Sequence, residues 1–331
     1  MSDKHLVLVV GVGRSGTSLF AGILGQLGFQ IPQPEVQADE TNPRGFGEPQ
    51  WVVDFHSRVL RSRRVMINDA RPSAWEAMAG TADDAKVREE LRTWLAGQLR
   101  EGDAFVVKDP RTVWFLDLWT RCAADLGMRT SFVTMLRHPA EIVASARKSY
   151  GDRLTEAGRA ASWINVTLET ERLTRGGRRV FVRYEELLAD WLGQIRRVGA
   201  ALDVPTLAAV ERVPEVDAFV DPTLHRNRTG WDRLDVPPSV VALADETWAH
   251  VDALADGPAS EAALDAARAA YASLYSEAEA IAQSSILFAR SRPGSKRGAA
   301  PAPAPSLRVR IARRIPARYR RRLRAALRNR S

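Results

Sequence analysis

The stretch VVGVGRSGTSLF, residues 9–20, decides the fold. An apolar run breaks into three glycines, two serines, a threonine and one arginine, and a helix is expected from Thr17 to about Leu27. A buried strand that turns through glycines into a helix leaves several backbone N–H groups aimed at one point. The positive end of the helix dipole aims there too, so an oxyanion binds well. The outline G-x-x-x-x-G, Gly11 to Gly16, is that of a phosphate-binding loop, but Thr17 stands where a nucleotide hydrolase carries lysine. Ser15, Thr17 and Ser18 add hydroxyl donors, Arg14 adds a fixed charge, and Gly13 and Gly16 complete the candidate cradle. The other reading is a plain strand-to-helix turn whose glycines only ease packing.

Outward from this loop, short β-branched runs alternate with longer helical segments. LVLVVGV (6–12) is continuous in apolar residues, as a strand buried on both faces should be. AFVVKD (104–109), TSFVTMLR (130–137) and residues 179–184 read as further strands. Helices are expected over 49–64, 83–100, 113–126 and 155–175, with another opened by Pro139. This alternation predicts an α/β fold, a P-loop NTPase-like parallel sheet flanked by helices. Residues 30–48 form a loop, and residues 190–283 are mainly helical. The chain divides into a domain over 1–290, a Pro/Ala-rich linker over 291–306 and a basic amphipathic tail over 307–331.

The net charge of +8 belongs to that tail. From Ser291 onward there are fourteen Lys or Arg and no Asp or Glu, which leaves 34 basic and 40 acidic residues before it. The body therefore has no general nucleic-acid signature. A single cysteine, Cys122, excludes an internal disulfide and a cysteine-rich zinc site. The apolar start is too short for a signal peptide, and no stretch is long enough to span a bilayer. These features place the protein in the cytoplasm, with attachment to the inner face of the cell membrane through its tail as a further expectation.

GVGRSGTS resembles the 5′-phosphosulfate loop of sulfotransferases, written P-K-S-G-T-T or G-x-x-R-S-G-T-S. A second stretch, RHPAEIVAS (137–145), is similar to that family's R-[ND]-P-x-[DE]-x-x-x-S segment, with His138 departing from Asn or Asp. The resemblance is to bacterial-type enzymes that use 3′-phosphoadenosine-5′-phosphosulfate (PAPS), and it spans roughly residues 6–190. It implies that Arg137 and Ser145 hold the donor's 3′-phosphate, that no metal is required, and that Tyr184 lines the nucleotide pocket or packs in the core.

A hydroxyl acceptor needs a base. Eukaryotic relatives carry a His in K-x-H-x-P, where this chain has VVKDPRT, with Lys108 kept and Pro110 in the place of that His. NPRGFGE (42–48) resembles the bacterial N-P-x-G-[FY]-[WF]-E stretch, which makes Glu48 the first candidate base. Its place before a helix lowers its basicity through the dipole, and burial offsets that. The alternatives are a mere helix-start carboxylate at Glu48, or His56 as the base, against His56 being a solvated or packed histidine. Asp109 is expected to be held ionised by Arg111 and Lys108. Arg14 and Lys108 are the candidates for neutralising the transferring group, against Lys108 being a surface cation. Trp51, Trp114 and Trp163 either border the acceptor cleft or pack in the core.

In the tail, Leu307, Ile311, Ile315, Tyr319, Leu323 and Leu327 recur every four residues among arginines. Such a stripe suits an anionic membrane surface; nucleic acid and a solvated tail are its rivals. The acceptor is expected to be a hydroxyl-bearing carbohydrate or glycolipid. Two rival functions stay open, a P-loop small-molecule kinase using ATP–Mg²⁺ and a non-catalytic nucleotide-binding membrane adaptor.

Overall fold

A computed structural model of the chain describes residues 4–39, 45–220 and 229–291. It divides into two compact units, Met1–Ser276, which holds the sheet, and Glu277–Ser331. The expected tail over 307–331, and the expected linker beyond Ser291, lie outside the described residues.

Four strands make a parallel sheet among the described residues: β1 His5–Val10, β2 Ala104–Lys108, β3 Arg129–Leu136 and β4 Arg178–Arg183, in the order β2-β1-β3-β4. The helices are α1 Thr17–Gln26, α2 Gln50–Ser62, α3 Ser73–Met78, α4 Ala85–Gln98, α5 Leu116–Asp125, α6 Pro139–Tyr150 and α7 Glu156–Leu173. They continue with α8 Tyr184–Ala189, α9 Trp191–Ala201, α10 Pro205–Ala208, α11 Pro214–Phe219, α12 Pro238–Ala253 and α13 Glu261–Ser291. The expected α/β architecture is therefore present, with the helical region after residue 190.

Alternation along β1 sends its side chains to two cores. Leu6, Leu8 and Val10 pack with Phe105 and Val107 under α2, α4 and α5. Val7 and Val9 pack with Val106, Val133 and Met135 under α1 and α9. A strand covered on both faces has to be apolar at every position, which is why it read as an unbroken run. Burying Leu6 and Leu8 completely stabilises the fold by roughly 1.5–3 kcal/mol each.

Two departures follow from local chemistry. The segment expected as one helix over 113–126 opens with a 3₁₀ turn, Pro110–Phe115, before α5. Asp109 caps that turn by accepting from the Arg111 N–H, and Pro110 takes the position that needs no donor. Helix α3 is six residues long, too short to leave a periodic trace in the sequence.

Sheet order places the site. From β1 the chain crosses to β2 on one side, and from β3 it crosses to β4 on the other. The neighbouring ends of β1 and β3 thus form the switch point, where α/β folds bind ligands.

Candidate functional site

Val10 pairs with Thr134, so the chain leaves β1 and β3 side by side. Gly11 follows with φ 129°, and a Cβ on it would lie 3.0 Å from the Met135 carbonyl oxygen. Glycine there lets the loop leave the sheet against the neighbouring strand. Arg14 also holds a left-handed backbone, φ 76°, unusual for a residue with a side chain. Gly16 ends the loop at φ 99° with the Tyr184 ring beneath it, 2.3 Å from where a Cβ would stand. Tyr184 is thus a floor for the loop, and the Arg137 guanidinium lies 4.8 Å from the centre of the same Tyr184 ring.

Helix α1 begins with no side-chain cap and no acidic residue in its first turn. Its first N–H groups are left for an anion from outside the helix. Ser15 Oγ is buried and has no partner among the described residues. Gly13, Thr17 and Ser18 complete the same strand-to-helix turn.

The second junction meets the first. Arg14 donates from Nε to Ser145 Oγ at 3.1 Å, and Arg137 donates from Nη1 to the Arg14 carbonyl oxygen at 3.2 Å. Arg137 Nε also binds Glu141 at 2.9 Å, one helical turn on. His138 caps α6 with its ring: Nδ1 accepts from the Ala140 N–H at 3.3 Å. The ring nitrogen thereby does what the side-chain oxygen of Asn or Asp does at a helix start.

A third strand end supplies the remaining polar groups. Lys108, at the end of β2, is 3 % exposed and is not a surface cation. Its Nζ lies 2.5 Å from Glu48 Oε1 and 3.0 Å from Ser18 Oγ. Glu48 precedes the cap of α2, Pro49, and is 8 % exposed. Burial pushes its carboxyl up from the ordinary value, against the pull of the Lys108 charge.

The structure corrects one expectation here and decides two readings that the sequence left open. Lys108 pairs with Glu48, so Asp109 is held instead by His56 and Arg111. Burial opposes ionisation of Asp109, yet the bonds from His56 and Arg111 bring its carboxyl down to about 2. His56 cannot act as the base. It is fully buried, stacked on Phe115, and both ring nitrogens are engaged, one at 2.6 Å to Asp109 and one at 3.0 Å to Trp119. The tryptophans take the second of their two readings and pack in the core. Trp51 stacks on Phe55 and Trp94, Trp114 stacks on Trp75, and Trp163 is buried beside Ile164 and Leu168.

A groove of about 340 Å³ runs along α1 from Ser18 past Gly22, Gly25 and Gln26. Gln33 and Glu35 lie on its rim, Phe219 closes one side, and Gly47 brings it next to Glu48. Residues 30–48 showed no periodicity from which this groove was legible.

The sequence matches the sulfotransferase family over residues 7–208. One similar solved structure is the sulfotransferase domain from the Synechococcus PCC 7002 olefin synthase. It is 17% identical over 75% of this chain and 96% of that one, with a TM-score of 0.41. No protein of curated function matches the chain.

Proposed function

The chain belongs to the sulfotransferase family, and from that premise we propose that it transfers a sulfuryl group from PAPS to an acceptor hydroxyl. PAPS would supply an activated sulfuryl group on a 5′-phosphate leaving group, so the protein's tasks are positioning and charge neutralisation.

One observation carries the reading: two strand-to-helix junctions meet through Arg14, Ser145 and Arg137 at the switch point. A nucleotide with phosphate on both its 3′ and 5′ oxygens needs two adjacent anion sites. Gly13, Arg14, Ser15, Gly16, Thr17 and Ser18 would hold the 5′ end, and Arg137 with Ser145 the 3′-phosphate. The uncapped start of α1 and the unpartnered Ser15 hydroxyl fit that assignment.

Glu48 is the base in this reading and takes the proton that the acceptor hydroxyl gives up. Lys108 fixes the carboxylate and, beside Ser18, stabilises the charge that grows at the loop. Arg14 reaches Ser145, so it acts where the two anion sites join.

Calorimetric titration with adenosine 3′,5′-bisphosphate (PAP) and with ATP–Mg²⁺, beside transfer of label from ³⁵S-PAPS, tests the function. Tight PAP, weak ATP–Mg²⁺ and labelled product support it. Tighter ATP–Mg²⁺ would favour the kinase, and PAP binding with no transfer to any acceptor would favour the adaptor. The acceptor in this proposal is a carbohydrate or glycolipid. The proposal also seats residues 307–331 on an anionic membrane, where each Arg adds about 1 kcal/mol. Liposome flotation with and without residues 306–331 checks that: equal flotation removes it. No helix among the described residues is long and apolar enough to cross a membrane.

A further inference from the structure

The groove along α1 has a chemistry of its own. Glycines on α1 let two of its walls lie directly on the helix backbone: a Cβ on Gly22 would lie 2.4 Å from Phe219, and one on Gly25 would lie 2.9 Å from Ile31. Its inner end is Ser18, whose Oγ accepts from Lys108, and Gly47 adjoins Glu48. Its inner end is therefore one hydrogen bond away from the Glu48–Lys108 pair.

The outer rim accepts hydrogen bonds. Gln33 commits both amide hydrogens, donating from Nε2 to the Ile31 carbonyl at 3.1 Å and to Glu35 Oε1 at 2.7 Å. That leaves Gln33 Oε1 and Glu35 Oε2 as acceptors. Glu35 is the one charged side chain among the described residues lining the groove. Pairing of residues 34–36 with 48–50 holds this rim in place: Val36 N–H donates to the Glu48 carbonyl at 2.8 Å, and Gln50 N–H donates to the Pro34 carbonyl at 2.8 Å. The same short ladder that positions Glu48 thus positions Glu35.

We infer that this groove receives the acceptor, and that Glu35 with Gln33 selects one whose far end donates hydrogen bonds, a polyol or amino-polyol, and rejects an anionic one. The inference rests on the sulfuryl-transfer reading above. A carboxylate facing an ammonium or hydroxyl makes a charge-assisted bond, whereas facing another carboxylate it repels. Phe219 gives the flat apolar wall that a sugar face covers.

The test uses the full chain, ³⁵S-PAPS and three acceptors of one size: methyl glucoside, glucosamine and glucuronate. Wild type is expected to prefer glucosamine and methyl glucoside to glucuronate by about ten-fold or more in kcat/KM. Glu35→Gln raises KM for glucosamine more than for methyl glucoside, and Glu35→Lys reverses the order in favour of glucuronate. PAP affinity, read by calorimetry, stays within about two-fold in both variants. An unchanged order in Glu35→Lys overturns the inference. So does transfer to none of the three acceptors by a chain that binds PAP, which leaves the donor assignment standing. Failure to bind PAP at all defeats the donor assignment itself.

Discussion

Lys108 and Glu48 form a buried ion pair at 2.5 Å, joining the end of β2 to the start of α2. A carboxylate that is buried yet held by an ammonium suits a base: it is more basic than in water and cannot turn away. Glu48→Gln should lower the rate of sulfuryl transfer by about 10²–10⁴-fold with PAP affinity kept. Full activity in that variant moves the base elsewhere.

The same pair sets a pH dependence. The base works ionised, and burial raises its carboxyl while Lys108 opposes the rise. Activity should therefore fall on acidification at a pH above the ordinary carboxylate value of 4.5, and that acid limb should vanish in Glu48→Gln. Removing the ammonium with Lys108→Ala strands a buried carboxylate. It should raise the limb further and destabilise the fold by about 3–5 kcal/mol. A kcat profile flat down to pH 5 contradicts this ordering.

Arg14 and Ser145 give the third prediction. A double-mutant cycle with Arg14→Ala and Ser145→Ala, read as PAP affinity, should return a coupling of about 0.5–3 kcal/mol, because the two are in contact at 3.1 Å. Arg137→Ala should weaken PAP by about ten-fold or more and barely alter adenosine 5′-phosphate, which has no 3′-phosphate. Equal losses for the two nucleotides remove Arg137 from the 3′ site.

The sheet and its first loop were legible because their signals are local. A strand buried on two faces is apolar throughout, glycines mark the turn, and Pro139 marks the start of α6. Glu48 and Lys108 were legible as separate candidates, but their union was not: the pairing spans 60 positions and depends on where the chain before α2 meets the end of β2. The role of His56 stayed open for a related reason. A histidine two turns into a helix near a predicted site reads as chemistry, and only the fold reveals Trp119 and Asp109 on either side of it.

Gly16→Ala offers a test of the loop independent of turnover. The left-handed backbone at φ 99° alone costs a non-glycine residue about 1–2 kcal/mol, and the added methyl would meet the Tyr184 ring at 2.3 Å. Lower thermal stability and loss of PAP binding are expected together. Tyr184→Leu in the same chain should return part of the stability, since it clears the space under the loop. Wild-type behaviour of Gly16→Ala would place the loop in another conformation.

The last prediction concerns His56, whose protonation the geometry dictates. Trp119 Nε1 can only donate, so His56 Nε2 accepts at 3.0 Å, and the ring proton sits on Nδ1, which donates to Asp109 Oδ2 at 2.6 Å. The ring is then neutral, and burial pushes its pKa below the ordinary 6.5 even though Asp109 opposes the shift. A group with a lowered folded pKa favours the fold fully above its unfolded value. Stability should therefore decline as the pH falls from about 6.5, where the unfolded chain takes up the proton first. Denaturant unfolding across pH 8 to 5 measures this slope. His56→Leu should flatten it and cost about 2–5 kcal/mol at neutral pH, by leaving the Trp119 donor and one Asp109 oxygen without a partner. Imidazole ¹⁵N shifts report the tautomer directly, and an Nε2–H ring would exclude the bond from Trp119 on which the prediction stands.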